Sequence, residues 1–277
     1  MNYRHIYHAG NFADVWKHAV LVALFDALKQ KAKPFCYLDT HAGIGRYDLQ
    51  AEEARKTAEA DKGIASLWQA TDLPELLQQY RQLIADDNGG DSLRYYPGSP
   101  WLANLLRRED DSLICNELHP VDVETLRDLF HRQRKVSIRN EDAYQSLTAC
   151  LPPKEKRGLV LIDPPFEKVD EFRQLLDGLK NAYQRWPTGI YTLWYPIKSR
   201  VEVQQFYRRL ELSGIRRILR AELNMKRPTD GEFTGSGLVM INPPWQIEQR
   251  IQPAGDWLAR HLGGAEANCT IDWLVPE

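Results

Sequence analysis

Cysteine is scarce and scattered in this chain. Cys36, Cys115, Cys150 and Cys269 lie far apart and form no C-x-x-C pair. That excludes a disulfide framework and a zinc site built on such pairs. Cys36 and Cys115 sit inside apolar runs and read as small buried hydrophobes. Long hydrophobic runs are missing too. No stretch approaches the roughly 18 uninterrupted apolar residues of a membrane helix, and the opening MNYRHIYHAGNF has no apolar core of the signal-peptide kind. These absences predict a cytoplasmic protein with no membrane partner. An excess of one charge is also lacking: 36 Lys and Arg stand against 38 Asp and Glu, a formal net charge of −2. The chain is therefore not globally basic, as a nonspecific nucleic-acid binder is. Local basic clusters (Arg132/Arg134/Lys135, Lys154/Lys156/Arg157, Arg208/Arg209 and Arg216/Arg217) leave a local nucleic-acid footprint open. No G-x-S-x-G supports a serine hydrolase, and no His/Cys/Asp spacing argues for a metal.

What is present is an alternation of two kinds of segment. Short apolar runs predict strands at FCYLD (35–39), SLICNEL (112–118), KVSIRNED (135–142), GLVLID (158–163), GIYTLWY (189–195), RRILRAEL (216–223) and GLVMIN (237–242). Helix-like stretches lie at Asn11–Lys31, Asp122–Phe130, Val169–Arg185 and Val201–Leu212. Strand–helix alternation predicts an α/β, Rossmann-like fold whose seven-stranded sheet is mostly parallel. Only the polar loop NMKRPTDGEFTGS separates the last two strands, which read as a terminal antiparallel hairpin. The 277 residues suit a single domain over 1–277. Its one interruption is 49–93, polar and rich in Ala, Glu, Gln and Leu, which reads as a helical subdomain inserted after the first strand's turn.

Open parallel sheets bind ligands at the carboxyl ends of their strands. The first strand ends in Asp39-Thr40-His41-Ala42-Gly43-Ile44-Gly45. Its glycines let the backbone turn sharply and approach a nucleotide-like ligand. The third glycine of a dinucleotide fingerprint is absent, with Asp48 in its place, which argues against a nicotinamide cofactor. Glu117 ends the second strand, where a carboxylate can accept both hydroxyls of a ribose. It lies far beyond the roughly 20 residues usual for that role, and the insertion accounts for the excess. Glu141-Asp142-Ala143 ends the third strand; Asp142 can meet the amino group of an adenine or cap a helix.

The fourth strand carries the chemistry, as Asp163-Pro164-Pro165-Phe166. The lone pair of adenine's exocyclic amine is delocalised into the ring, so the amine is a poor nucleophile. Asp163 can accept one N–H and the carbonyl of Pro164 the other, which localises the lone pair on nitrogen. The prolines' fixed φ holds that carbonyl in place, and Phe166 offers a stacking face to an extruded base. With S-adenosylmethionine as methyl donor the reaction needs no metal. Asn242-Pro243-Pro244-Trp245 repeats the pattern after the last predicted strand. It reads as a structural turn, because the fourth strand neighbours the first in such folds. Before the first strand, Tyr3, Arg4, His5, Tyr7, His8, Lys17 and His18 crowd polar aromatic and basic groups into what reads as a site-covering segment.

YRHIYHAGNFADVWKH, YLDTHAGIGRYDL, RYYPGSP, ELHP, GLVLIDPPF, GIYTLWYP and INPPW together resemble the bacterial 23S rRNA (adenine-N6)-methyltransferases of the RlmJ (YhiR) type, in order and across essentially the whole chain. The resemblance implies a class I S-adenosylmethionine-dependent methyltransferase fold with a helical insertion. It implies a donor pocket of His18, His41, Gly43, Ser99, Glu117, Asp142, Ala143 and Asp163, with Asp163 catalytic. It places Tyr3, His5 and Lys17 near the substrate, and implies a monomer acting on 23S rRNA with no metal and no obligate protein partner. One position departs from the family: its usual aromatic is Tyr where this chain has Phe166. Three other readings compete: a DNA adenine-N6 methyltransferase, a protein glutamine methyltransferase, and a non-catalytic RNA-binding protein. The intact Asp39, Gly43, Gly45, Glu117 and Asp163 oppose the last. Arg55, Lys56, Lys62 and Arg81 make the insertion a candidate for positioning RNA, with no catalytic group of its own.

The glycine turn and Glu117 suit a nucleoside without a pyrophosphate. Calorimetry should therefore detect binding of S-adenosylmethionine and none of NAD; preference for NAD would overturn the assignment.

Overall fold

A computed structural model describes residues 4–168 and 170–277. Tyr3, and the first residue of the helix expected over Val169–Arg185, lie outside the described residues. The chain opens with a short 3-10 turn, His5–Tyr7, and then α1 (Phe12–Lys29). Asn11 caps α1 by accepting the amide of Asp14 at 2.9 Å. The helix is apolar on nearly every side and is accordingly buried for most of its length. β1 (Cys36–Asp39) follows, and then β2 (Arg46–Asp48). Three helices come next: α2 (Glu52–Thr57), α3 (Ile64–Gln69) and α4 (Glu75–Asn88). β3 (Tyr95–Pro97) returns to pair antiparallel with β2, so the helices between them leave and re-enter at a two-stranded neck.

The rest alternates: α5 (Ser99–Leu106), β4 (Ser112–Asn116), α6 (Pro120–Phe130), β5 (Val136–Arg139), α7 (Ala143–Cys150), β6 (Gly158–Ile162), α8 (Glu171–Arg185), β7 (Ile190–Ile197), α9 (Arg200–Glu211), β8 (Ile218–Asn224), β9 (Gly235–Ile241), α10 (Ile247–Leu262) and β10 (Asn268–Val275). The main sheet runs β10-β8-β9-β7-β6-β1-β4-β5. Strands β5, β4, β1, β6 and β7 are mutually parallel, and β9, β8 and β10 continue the sheet antiparallel.

Side-chain alternation along the strands feeds two cores. Tyr37, Leu159, Leu161, Leu238 and Met240 face α1, α4, α5 and α10, whereas Leu38, Val160, Ile162, Val239 and Ile241 face α7, α8 and α9. The result is three layers, helices on both faces of the sheet.

The sequence reading counts seven strands and the sheet has eight. β10 is the addition, a partly exposed edge strand in which Asn268, Thr270 and Asp272 alternate with Cys269, Ile271 and Trp273, a strand signal the sequence reading passed over. The expected antiparallel pair β8–β9 is present, but β9 sits between β7 and β8 and the edge belongs to β10. Cys36 and Cys115 are buried, as expected of small hydrophobes, and all four cysteines are free. No helix among the described residues is long and apolar enough to cross a membrane.

At Gly63 the segment between β2 and β3 touches the N-terminal loop. The amide of Ile64 donates to the carbonyl of Gly10 at 2.8 Å. A Cβ on Gly63 would lie 2.1 Å from that same oxygen. Gly63→Ala should therefore force the two segments apart, costing about 1–3 kcal/mol and lowering the melting temperature by roughly 3–10 °C. A thermal scan showing an unchanged midpoint would contradict this packing.

Candidate active site

A cleft of about 610 Å³ opens over the carboxyl ends of the parallel strands. The described residues of the predicted donor pocket, catalytic motif and substrate side line it, whereas Arg4, Tyr7, Asp39 and Gly45 do not. From the strand ends come His41, Gly43, Glu117, Asp142, Ala143, Asp163, Pro164 and Phe166; from the helices and the N-terminal segment come His5, Lys17, His18 and Ser99. β1 pairs with β4 on one side and β6 on the other. That placement sets the glycine turn between Glu117 and Asp163.

The half of the cleft around the glycine turn is built from fixed polar groups. Glu117 is 5% exposed. Its Oε2 accepts the amide of Gly43 at 2.8 Å and its Oε1 the amide of His119 at 2.7 Å. A carboxylate has about four lone-pair sites, so both oxygens are oriented and each keeps capacity for a ligand. Burial pushes the Glu117 carboxyl up, against those two amides. Gly43 has φ +60°, and a Cβ there would lie 2.4 Å from the Tyr47 hydroxyl, so only glycine fits the turn. Behind it Asp39 is fully buried; it accepts the Tyr37 hydroxyl at 2.9 Å and the His41 amide at 3.2 Å. Burial pushes Asp39 up to about 6 and lowers His41 to about 4. Asp142 caps α7 through Oδ1, which accepts the amides of Tyr144 at 3.0 Å and Gln145 at 3.1 Å. The capping reading therefore holds, and the same carboxylate also lines the cleft.

The other half of the cleft centres on Asp163. Lys17 donates to its Oδ2 at 2.5 Å and also pairs with Asp14 at 3.0 Å. Asp14, 2% exposed, accepts from His5 Nε2 at 2.8 Å and from the Gly10 amide at 3.0 Å. Burial opposes the Asp14 charge, yet His5 and Lys17 hold its carboxyl well below the usual range. Burial likewise opposes the Lys17 charge, and the two carboxylates hold it above the usual lysine range. Phe166 has φ +50°, an uncommon backbone for a bulky side chain and of the strained kind found at functional sites. Its ring meets Phe172 edge-on at 4.9 Å and Trp194 at 5.9 Å.

Sequence reasoning missed Asp14 and Trp194. The signal for Asp14 was a charged pair three residues apart inside an apolar helix, which has to be buried and partnered. Trp194 lies on β7 beside β6, and its indole Nε1 donates to Ser236 Oγ at 2.9 Å. Tyr3 lies outside the described residues. The second Asn-Pro-Pro-Trp segment is absent from the cleft lining. Asn242 there donates to the carbonyls of Pro187 at 2.8 Å and Gly189 at 2.9 Å, a structural turn.

Five parallel strands continued by antiparallel ones, with a nucleoside-type turn after the first and an acidic Pro-Pro-aromatic end on its neighbour, define a class I methyltransferase fold. The chain belongs to the family described as ribosomal RNA large subunit methyltransferase D, RlmJ, whose model matches residues 32–275. It is 45% identical over 279 residues to the ribosomal RNA large subunit methyltransferase J of Escherichia coli K12, and 42% identical over 280 residues to the protein of that name from Haemophilus influenzae. Each alignment covers 100% of both chains. A crystal structure of a Legionella pneumophila protein superposes with a TM-score of 0.89 at 37% identity, covering 96% of this chain and 98% of that one.

The buried Asp39 yields a pH prediction. Its folded value of about 6 exceeds the ordinary 3.8. The folded chain thus holds this proton more tightly than the unfolded one, and the associated stability is full below pH 3.8 and lost as pH rises through 6. Relative to Asp39→Asn, the wild type should lose about 2 kcal/mol between pH 4 and pH 7. Parallel stability–pH curves for the two proteins, from denaturant titrations, would contradict the burial of that charge.

Proposed function

We propose that this chain transfers a methyl group from S-adenosylmethionine to the exocyclic N6 amine of a specific adenine in 23S ribosomal RNA. The observation that carries this reading is Asp163-Pro164-Pro165-Phe166 at the end of β6, one strand from the glycine turn of β1 and in the same cleft. The names of the full-length relatives support the substrate class. The chain then works as one methyltransferase domain over 1–277, a cytoplasmic monomer with no obligate protein partner.

The cleft suits the donor in volume and in chemistry: a side-chain-free turn at Gly43, an oriented Glu117 carboxylate for the ribose, and Asp142 and Ala143 for the adenine ring. His18, His41 and Ser99 complete that wall. S-adenosylmethionine bound there supplies a methyl made electrophilic by its sulfonium. The chain's own residues prepare the amine. Lys17 occupies Oδ2 of Asp163 and fixes the carboxylate's orientation, which leaves Oδ1 to accept one amine N–H. The Pro164 carbonyl accepts the second, and the lone pair is localised on nitrogen. Phe166 stacks on the extruded base. Tyr3, His5 and Lys17 form the substrate side. Within 49–93, Arg55 and Lys62 are exposed. Lys56 already pairs with Glu52, and Arg81 donates to the Ala70 carbonyl. RNA contact by this segment accordingly rests on Arg55 and Lys62.

Labelled methyl should enter protein-free 23S rRNA and neither 16S rRNA nor duplex DNA. A base in an RNA loop is cheaper to extrude than one stacked in a duplex. Asp163→Ala should lower kcat by roughly 100-fold or more, because it removes an interaction made mainly in the transition state; it should also lower stability, since the buried Lys17 keeps only Asp14 as a partner. Duplex DNA labelled as fast as 23S rRNA would refute the substrate. Near wild-type turnover of Asp163→Ala, with turnover lost in Asn242→Ala, would refute the site.

A further inference from the structure

His18 is 1% exposed and lies on α1, yet it lines the cleft. Its Nδ1 sits 2.8 Å from the hydroxyl of Tyr96, on β3. The Tyr80 hydroxyl, on α4, donates to Tyr96 at 2.8 Å. Both tyrosines are fully buried. Among the described residues Nε2 has no partner, and it is absent from the buried polar atoms that lack one, so it opens on the cleft.

The order of protons in this chain decides what His18 offers a ligand. Suppose Nδ1 carried the proton and donated to Tyr96. Tyr96 would then donate to Tyr80, and the Tyr80 proton would have no acceptor. A buried donor left unmade costs on the order of 1–3 kcal/mol. In the opposite order Tyr80 donates to Tyr96, Tyr96 donates to Nδ1, and no proton is stranded. Burial lowers His18 to about 3, so the ring is neutral and carries a single proton.

We propose that Tyr80 and Tyr96 are positioning residues that lock His18 as the Nε2–H tautomer, aimed into the cleft as a neutral donor for the carboxylate of the methyl donor's amino-acid moiety. The inference rests on the donor-site reading above. Gly98 and Ser99, at the start of α5 and just after Tyr96, line the same cleft, where a helix N-terminus favours an anion. The relay gives the helices between β2 and β3 a part in donor binding, because Tyr80 comes from α4 and is held by its packing there.

The tautomer can be read directly. Long-range proton–nitrogen correlation spectra of protein labelled with 15N-histidine should show His18 with Nε2 protonated and Nδ1 bare at neutral pH, without any ligand. In the double variant Tyr80→Phe/Tyr96→Phe, which also removes the Tyr80 hydroxyl lying 3.5 Å from Nδ1, that pattern should give way to a mixture. Its dissociation constant for S-adenosylmethionine should rise about fivefold to tenfold by calorimetry, the worth of one hydrogen bond, with the loss falling on KM for the donor more than on kcat. Tyr80→Phe, which leaves the direct bond to Nδ1 intact, should show a smaller rise of about two- to threefold. A wild-type His18 protonated on Nδ1 would overturn the proposal, as would wild-type donor affinity in Tyr80→Phe/Tyr96→Phe. Wild-type protein that shows the Nε2–H tautomer but binds no S-adenosylmethionine would instead overturn the donor-site reading and leave the relay standing.

Discussion

A lysine buried in an apolar helix has to be neutralised where it stands, and the site is organised around that requirement. Lys17 is 4% exposed. Desolvating such a charge costs several kcal/mol unless partners surround it. Asp14 supplies one from the same helix, and Asp163 supplies the other from the end of β6. Asp14 also gathers His5 and the Gly10 amide. One buried chain of charges and hydrogen bonds therefore ties the N-terminal segment, α1 and the end of β6 at Asp163 into a single arrangement. Removing one member would strand the others as unpaired buried groups, a larger penalty than the net worth of any pair.

The sheet supplies the second constraint. Because β1 lies between β4 and β6, three strand ends converge on one cleft with fixed spacing. The glycine turn is free of side chains, Glu117 is held by two backbone amides, and Asp163 is held by Lys17. Preorganisation of this kind is what lets a site act on a reaction without rearranging at the moment of chemistry. The unusual backbone of Phe166 belongs with it: the φ of +50° is maintained by ring contacts with Phe172 and Trp194.

Much of this was legible in the sequence because strand ends are legible. The run GLVLID is buried on both faces, so its end at Asp163 could be placed without a structure, and the same holds for Asp39. Family resemblance added His18, Ser99 and Lys17, whose place in the cleft depends on helix packing that no local pattern encodes. β10 alternates clearly, Asn268, Thr270 and Asp272 against Cys269, Ile271 and Trp273, and was passed over as a partly exposed edge strand at the end of the chain. What stayed hidden was tertiary. The apolar surroundings of Asp14 on α1 hinted at its burial, but its partners His5 and the Gly10 amide show only in the folded chain. Tyr80 looks like an ordinary apolar position of an amphipathic helix, and its hydroxyl acquires meaning only because α4 brings it against Tyr96.

The central claim is that this cleft methylates the amine of adenine in large-subunit ribosomal RNA. Its most direct test is nucleoside analysis by mass spectrometry of 23S rRNA from a strain lacking the gene, before and after treatment with the purified protein and S-adenosylmethionine. The account predicts that N6-methyladenosine at one position is missing beforehand and restored by treatment. A methyl group restored on any other base, or on no base of 23S rRNA, would contradict it.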